Sequence, residues 1–178
     1  DPVFYHGLMT YDFPTLDYGL RPDNEVTHKS FGRDVSMKIN AQGFRHPEDM
    51  KTAKPPGLIR VFVLGGSAAF GLYATQNEMF SGLLDSYLKQ EAVNIEVVNA
   101  AVPGYMTRQE YQMLKHRVMQ FRPDIVILFN GLNDMGPGVI GRSDSPPIAY
   151  LENEMIDQFR RRKRHAEQSL HRYLLMEM

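Results

Sequence analysis

Residues 59–71 read IRVFVLGGSAAFG, and the fold turns on how this stretch is understood. The run Ile59–Leu64 has the apolar character of a buried β-strand. Gly65, Gly66 and Gly71 then bracket a single serine, Ser67, in a turn that leaves the strand and enters a helix. Downstream, Phe80, Leu83, Leu84, Tyr87 and Leu88 recur at helical spacing, with Asn77 placed as an N-cap. The unit then repeats. Ile95–Asn99 reads as a second strand, and Thr107-Arg-Gln-Glu110 forms a capping box ahead of an apolar stripe at Tyr111, Leu114, Val118 and Phe121. Arg122-Pro123-Asp124 turns the chain into Ile125–Phe129, IVILF, whose unbroken apolar character suits a strand covered on both faces. Strands alternating with helices of this length imply a parallel sheet with right-handed crossovers, built on strands near 59–64, 95–99 and 125–129.

The flanking sequence differs in texture. Residues 1–57 are rich in Pro, Asp, Tyr and Gly and end in KPPG, which reads as an extended N-terminal arm and a stiff linker leading into an α/β domain over 58–178. Within the arm only VSMKIN alternates like a strand, at about residues 35–40, with AQGF as the turn that follows. Residues 150–175 read as helical, interrupted by the basic run RRRKR at 160–164, whose charges fit a solvated stretch. The 178 residues carry a formal net charge of −1, which gives no global reason to expect a nucleic acid or an anionic membrane as partner. With no cysteine in the chain, disulfides, thiolate zinc sites and cysteine nucleophiles are excluded. No apolar run approaches the roughly 20 residues of a membrane span. No cluster of His and carboxylates has metal-site spacing, and no cofactor is expected.

The glycine turn does not fit the phosphate-site templates. Gly66 and Gly71 have the spacing of a P-loop, but Leu72 stands where the phosphate-neutralising lysine belongs. Gly65, Gly66 and Gly71 do not match G-x-G-x-x-G, and no acidic residue closes the second strand. A serine site fits better. In an open parallel sheet the loops at the carboxyl ends of the strands converge, so Ser67, the loop Ala100–Gly104 and the loop Asn130–Asp134 become neighbours. Acyl transfer needs a nucleophilic hydroxyl and donors aimed at an oxyanion, commonly backbone N–H groups and a side-chain amide. Plainer readings stand beside this one: Ser67 as a helix cap, Gly104 as a positive-φ turn residue, Asn133 as an ordinary loop residue.

In this order, GGS, PGY and GLND after three successive strands, the sequence resembles the SGNH (GDSL-type) hydrolases. Gly65-Gly66-Ser67 with Gly71 is similar to the first block, GDSxxxG, with Gly66 in place of the usual Asp. Asn99-Ala100-Ala101-Val102-Pro103-Gly104 resembles the second block and Gly131-Leu132-Asn133-Asp134 the third, GxND. The element Ile39-Asn40-Ala41-Gln42-Gly43-Phe44-Arg45 is similar to an INxxGFR segment of bacterial envelope-associated members. The resemblance implies a three-layer α/β/α flavodoxin-like fold. It implies Ser67 as nucleophile, with an oxyanion hole from the Ser67 N–H, the Gly104 N–H and the Asn133 side chain.

The fourth block, D-x-x-H, is missing downstream of the third. His165 and His171 lack the aspartate partner, and His6, His28, His46 and His116 are likewise unmatched. His46 is the first to check for approach to Ser67. The simplest expectation is a sequence that stops before the rest of an SGNH domain, with a ligand-binding pseudoenzyme or a divergent base as alternatives. The expected function is an esterase or O-acyl hydrolase or transferase acting on a small-molecule, carbohydrate or cell-envelope ester. The competing class is a non-catalytic carbohydrate- or protein-binding module. An extracytoplasmic location, with an anchor outside the sequence given, is favoured over the cytoplasm.

Overall fold

The computed structural model describes residues 2–134. The helix expected over 150–175, the basic run at 160–164, His165 and His171 lie outside the described residues. The chain opens with helix α1 (Pro2–Leu8), and strand β1 (Met9–Thr10) pairs antiparallel with β2 (Gly19–Leu20). A hairpin follows, β3 (Asn24–Ser30) against β4 (Arg33–Ile39). Its two turn residues, Phe31 and Gly32, have φ of +48° and +79°, as a two-residue type I′ connection demands. β4 is the strand expected near 35–40; its partner β3 carries no clear strand pattern in the sequence.

The parallel sheet is built from β5 (Ile59–Gly65), β6 (Ile95–Asn99) and β7 (Ile125–Phe129), in the order β6-β5-β7. In register, Val63 lies between Asn99 and Ile127. Helices α2 (Ser67–Phe70) and α3 (Phe80–Gln90) connect β5 to β6. Helix α4 (Thr107–Met113), a π turn over Leu114–Val118 and a 3₁₀ turn over Met119–Phe121 connect β6 to β7. This is the parallel α/β arrangement expected from the strand–helix alternation, and it is consistent with the flavodoxin-like fold that the resemblance implies. The chain leaves β5 toward one side of the sheet for β6 and crosses to the other for β7. The carboxyl end of β5, where Ser67 begins α2, is therefore a topological switch point.

Both expected helix starts shift. Met79, not Asn77, is the N-cap of α3, because Thr75 and Glu78 close a turn of their own: the Thr75 N–H and hydroxyl donate to Glu78 Oε2 at 2.9 and 2.8 Å. At α4 the N-cap is Met106, whose N–H donates to the Gln109 side chain at 3.0 Å, so the box sits one residue earlier than Thr107–Glu110. Of the two apolar stripes, Leu84, Leu88 and Leu114 are half-buried and Val118 and Phe121 buried, whereas Phe80, Leu83, Tyr87 and Tyr111 face solvent.

Residues 2–57 are more than an extended arm. Leu8, Leu20, Val35, Met37, Ile39 and Phe44 are buried in the same cluster as Val61–Leu64, Val97 and Val98. Phe44 stands edge-on to Phe62 and Phe121, with ring centroids 5.5 and 5.6 Å apart. The one polar residue of β5, Arg60, is buried, but its guanidinium donates to Glu96 at 2.6 Å and to the Phe121 carbonyl at 2.7 Å. A paired cation is tolerated there because its donors are used.

Candidate active site

Three backbone turns build the site. At the first, Gly66 is the N-cap of α2 and Ser67 its first residue, partly exposed beside buried Ala69 and Phe70. The helix stops after one turn because Gly71 takes up the left-handed conformation, φ +75°, and its N–H closes back on Ser67 and Ala68. A side chain at Gly71 would meet Met79 Cβ at 2.7 Å, so both conformation and space call for glycine there. Next to Ser67 the constraint is spatial alone: a Cβ on Gly66 would come within 2.5 Å of the Asn133 amide nitrogen. Gly66 has φ −88°, which any residue can adopt.

The second turn, after β6, is tied to β5 by the Ala100 N–H donating to Val63 O at 2.8 Å and the Val102 N–H to Gly65 O at 3.0 Å. Gly104 has φ +85°, and a Cβ on it would lie 2.9 Å from the Tyr18 hydroxyl. Tyr18 comes from the N-terminal segment. Its hydroxyl donates to the Pro103 carbonyl at 3.2 Å, its ring meets Tyr105 edge-on at 5.2 Å, and the Tyr105 hydroxyl donates back to the Tyr18 carbonyl. Burial pushes the Tyr105 phenol well above its ordinary pKa, so it stays a hydrogen-bond donor.

The third turn follows β7. The Asn133 amide donates to the Tyr105 carbonyl at 2.7 Å, which brings the GLND loop onto the PGY loop and against Gly66. A primary amide has two N–H groups, so the bond to Tyr105 leaves a second donor. Asp134 accepts the Thr107 N–H at 3.1 Å and the Thr107 hydroxyl at 3.1 Å, capping the first turn of α4 from across the site. Asn130 donates to Glu110 at 2.7 Å. Glu110 is buried, and its other oxygen has no partner among the described residues. Burial raises its pKa above the ordinary carboxylate value; the Asn130 bond opposes this and the nearby Asp134 charge adds to it.

Around the three residues singled out in the sequence, the structure thus places Gly66 (adjacent to Ser67), Tyr105 (adjacent to Gly104) and Asn133 in mutual contact. His46 is not engaged with Ser67: it is buried, and its Nδ1 lies 2.9 Å from the carbonyl of Glu48 in its own turn. Among the described residues nothing hydrogen-bonds the Ser67 hydroxyl, and no three His, Asp or Glu side chains gather as a metal site. Nothing in the sequence marks Tyr18, Tyr105, Glu110 or Asn130 as bracing these loops. Only the recurrence of polar residues just past each strand end pointed to the area.

A search of curated proteins found no match to the chain. Among solved structures it is similar to an alanine variant of the esterase AlinE4, with 23% sequence identity and a TM-score of 0.42. That alignment takes in 62% of this chain and 57% of the esterase, so the chain spans little more than half that protein's length. The profile of the GDSL-like Lipase/Acylhydrolase family matches residues 63–170, from the end of β5 through all three turns and beyond them. With more than half of its length matched to that profile, the chain belongs to the GDSL-like lipase/acylhydrolase family.

Proposed function

We propose that this chain carries out ester hydrolysis with Ser67 as the nucleophile. The Ser67 hydroxyl attacks the acyl carbonyl carbon and gives up its proton to a general base. The carbonyl oxygen becomes an oxyanion that receives the N–H groups of Ser67 and Gly104 and the free amide N–H of Asn133. Collapse expels the alcohol, which takes up the proton, and water then releases the acid from the acyl-enzyme by the same route. The observation that carries the reading is the seating of the Asn133 amide between the Tyr105 carbonyl and Gly66, which brings a side-chain donor to the turn that holds the serine.

The substrate class that best suits the family resemblance is an O-acyl group on a carbohydrate or cell-envelope polymer, cleaved or passed to another hydroxyl. The INxxGFR-like element supports an extracytoplasmic setting. Incubation with a fluorophosphonate tests the reaction class: Ser67 of the full-length protein is expected to be phosphonylated and Ser67→Ala to remain unlabelled. Absence of labelling, with binding of an acylated glycan retained, would instead identify a non-catalytic binding module. Release of acid in the presence of competing alcohols separates hydrolysis from transfer.

A further inference from the structure

We propose that Arg45 is a positioning residue for the nucleophile, its guanidinium holding the turn that presents Ser67; the proposal rests on Ser67 being that nucleophile. Helix α2 has four residues, far below the roughly 12 at which a helix begins to sustain itself in water, so its geometry must come from outside. At its far end the Arg45 Nη1 donates to the carbonyls of Phe70 and Gly71, both at 2.7 Å, and Nη2 donates to that of Ala74. The guanidinium also lies 4.8 Å from the centroid of the Phe70 ring. Beside it the Asn99 amide donates to Ala69 O at 2.9 Å.

Arg45 is fully buried, with 0% of its surface exposed. No carboxylate pairs with it among the described residues, and its Nε–H has no partner there. An isolated buried cation is strongly unfavourable, and an apolar residue of similar volume would serve packing better. The charge is offset by the carbonyl dipoles of Phe70 and Gly71 where the helix ends, by that of Ala74 just beyond, and by the face of Phe70. Burial lowers its pKa to about 10, which leaves it protonated at neutral pH.

The segment that delivers Arg45 is itself built for the purpose. Asn40 Oδ1 accepts the N–H groups of Gln42 and Phe44 at 3.1 and 2.9 Å, and its amide donates to Glu48 O at 2.9 Å. Phe44 enters the core, and the Arg45 N–H bridges to Asn99 O at 3.0 Å. The side chain of Arg45 is thereby aimed under the nucleophile turn. A lysine keeps the charge but cannot reproduce a planar fork that spans three carbonyls.

The test compares the full-length wild type with Arg45→Lys and Arg45→Gln, measuring the rate of Ser67 phosphonylation, and kcat and KM on p-nitrophenyl acetate, per titrated active site. Glutamine carries no charge to bury, so it serves if the lysine variant does not fold. The expected result is a fall of about 10- to 100-fold in kcat and in the labelling rate, with KM within about twofold, since a small misplacement of a reacting group costs rate rather than binding. Wild-type rates per active site in both variants would overturn the role of Arg45 while leaving the esterase reading intact. A wild type that never labels at Ser67 would overturn both.

Discussion

Asn133 and Gly66 occupy one small volume, and that makes them a matched pair of tests. Removing the amide in Asn133→Ala deletes one oxyanion donor and is expected to lower kcat by about 10²–10³ without unfolding the protein. Gly66→Ala leaves every donor in the sequence but places a Cβ 2.5 Å from the Asn133 nitrogen, which must then shift from its present seat on the Tyr105 carbonyl. Its backbone tolerates alanine, so the expected outcome is a folded protein with kcat down by at least about tenfold. An unchanged kcat in Gly66→Ala would mean that the amide has room to move and that its seat on Tyr105 is not the working position. Both variants are read by ester hydrolysis per active site, with circular dichroism as the check on folding.

Helix α4 and the loop after β7 meet through Thr107, Glu110, Asn130 and Asp134, and this junction titrates. Glu110 has its pKa raised above the ordinary 4.5, chiefly by burial, so the native state holds its proton more tightly than the unfolded chain does. Its contribution to stability is therefore fully present below the unfolded pKa and is lost as pH rises from there through the raised folded value. Glu110→Gln keeps an acceptor for Asn130 and removes the charge. Urea unfolding is expected to show the variant gaining on wild type as pH rises from about 4 toward 8, with the gap closing at the acid end. A gap independent of pH would show that the carboxyl does not change its ionisation on folding. None of this was legible in the sequence, where Glu110 looked like the last member of a capping box; a buried carboxylate one turn into a helix has no sequence signature. The strands were legible because IRVFVL, IEVVN and IVILF are short, mostly apolar runs, IVILF wholly so and the other two broken only by Arg60, Glu96 and Asn99. β3, NEVTHKS, was not, because a hairpin half-open to solvent alternates only weakly and places polar residues on both faces. Arg45 stood within a segment noted for its resemblance, but arginine is so seldom fully buried that nothing pointed to its place under the nucleophile turn.

The N-terminal 57 residues decide what counts as the folding unit. Read from composition they are an arm, yet Tyr18 packs on the Gly104 loop, Arg45 lies under α2, and Lys54 pairs with Asp124 at the start of β7. The side chain that measures the joint is Phe44, 1% exposed and set between Phe62 of β5 and Phe121 of the connection into β7. If the segment and the sheet share one core, Phe44→Ala opens a cavity that neither can close alone, and unfolding should become easier by about 3–5 kcal/mol in a single cooperative transition. An arm merely resting on a self-sufficient sheet would lose its own contacts and little else: the main transition would move by less than about 1 kcal/mol, as surface changes do. Urea denaturation followed in parallel by far-ultraviolet circular dichroism and tyrosine fluorescence distinguishes the two. The first outcome carries a consequence for the site, because a core that loosens at Phe44 also loosens the next residue along the chain, Arg45. The Phe44→Ala variant should then slow ester hydrolysis even under conditions where it remains folded.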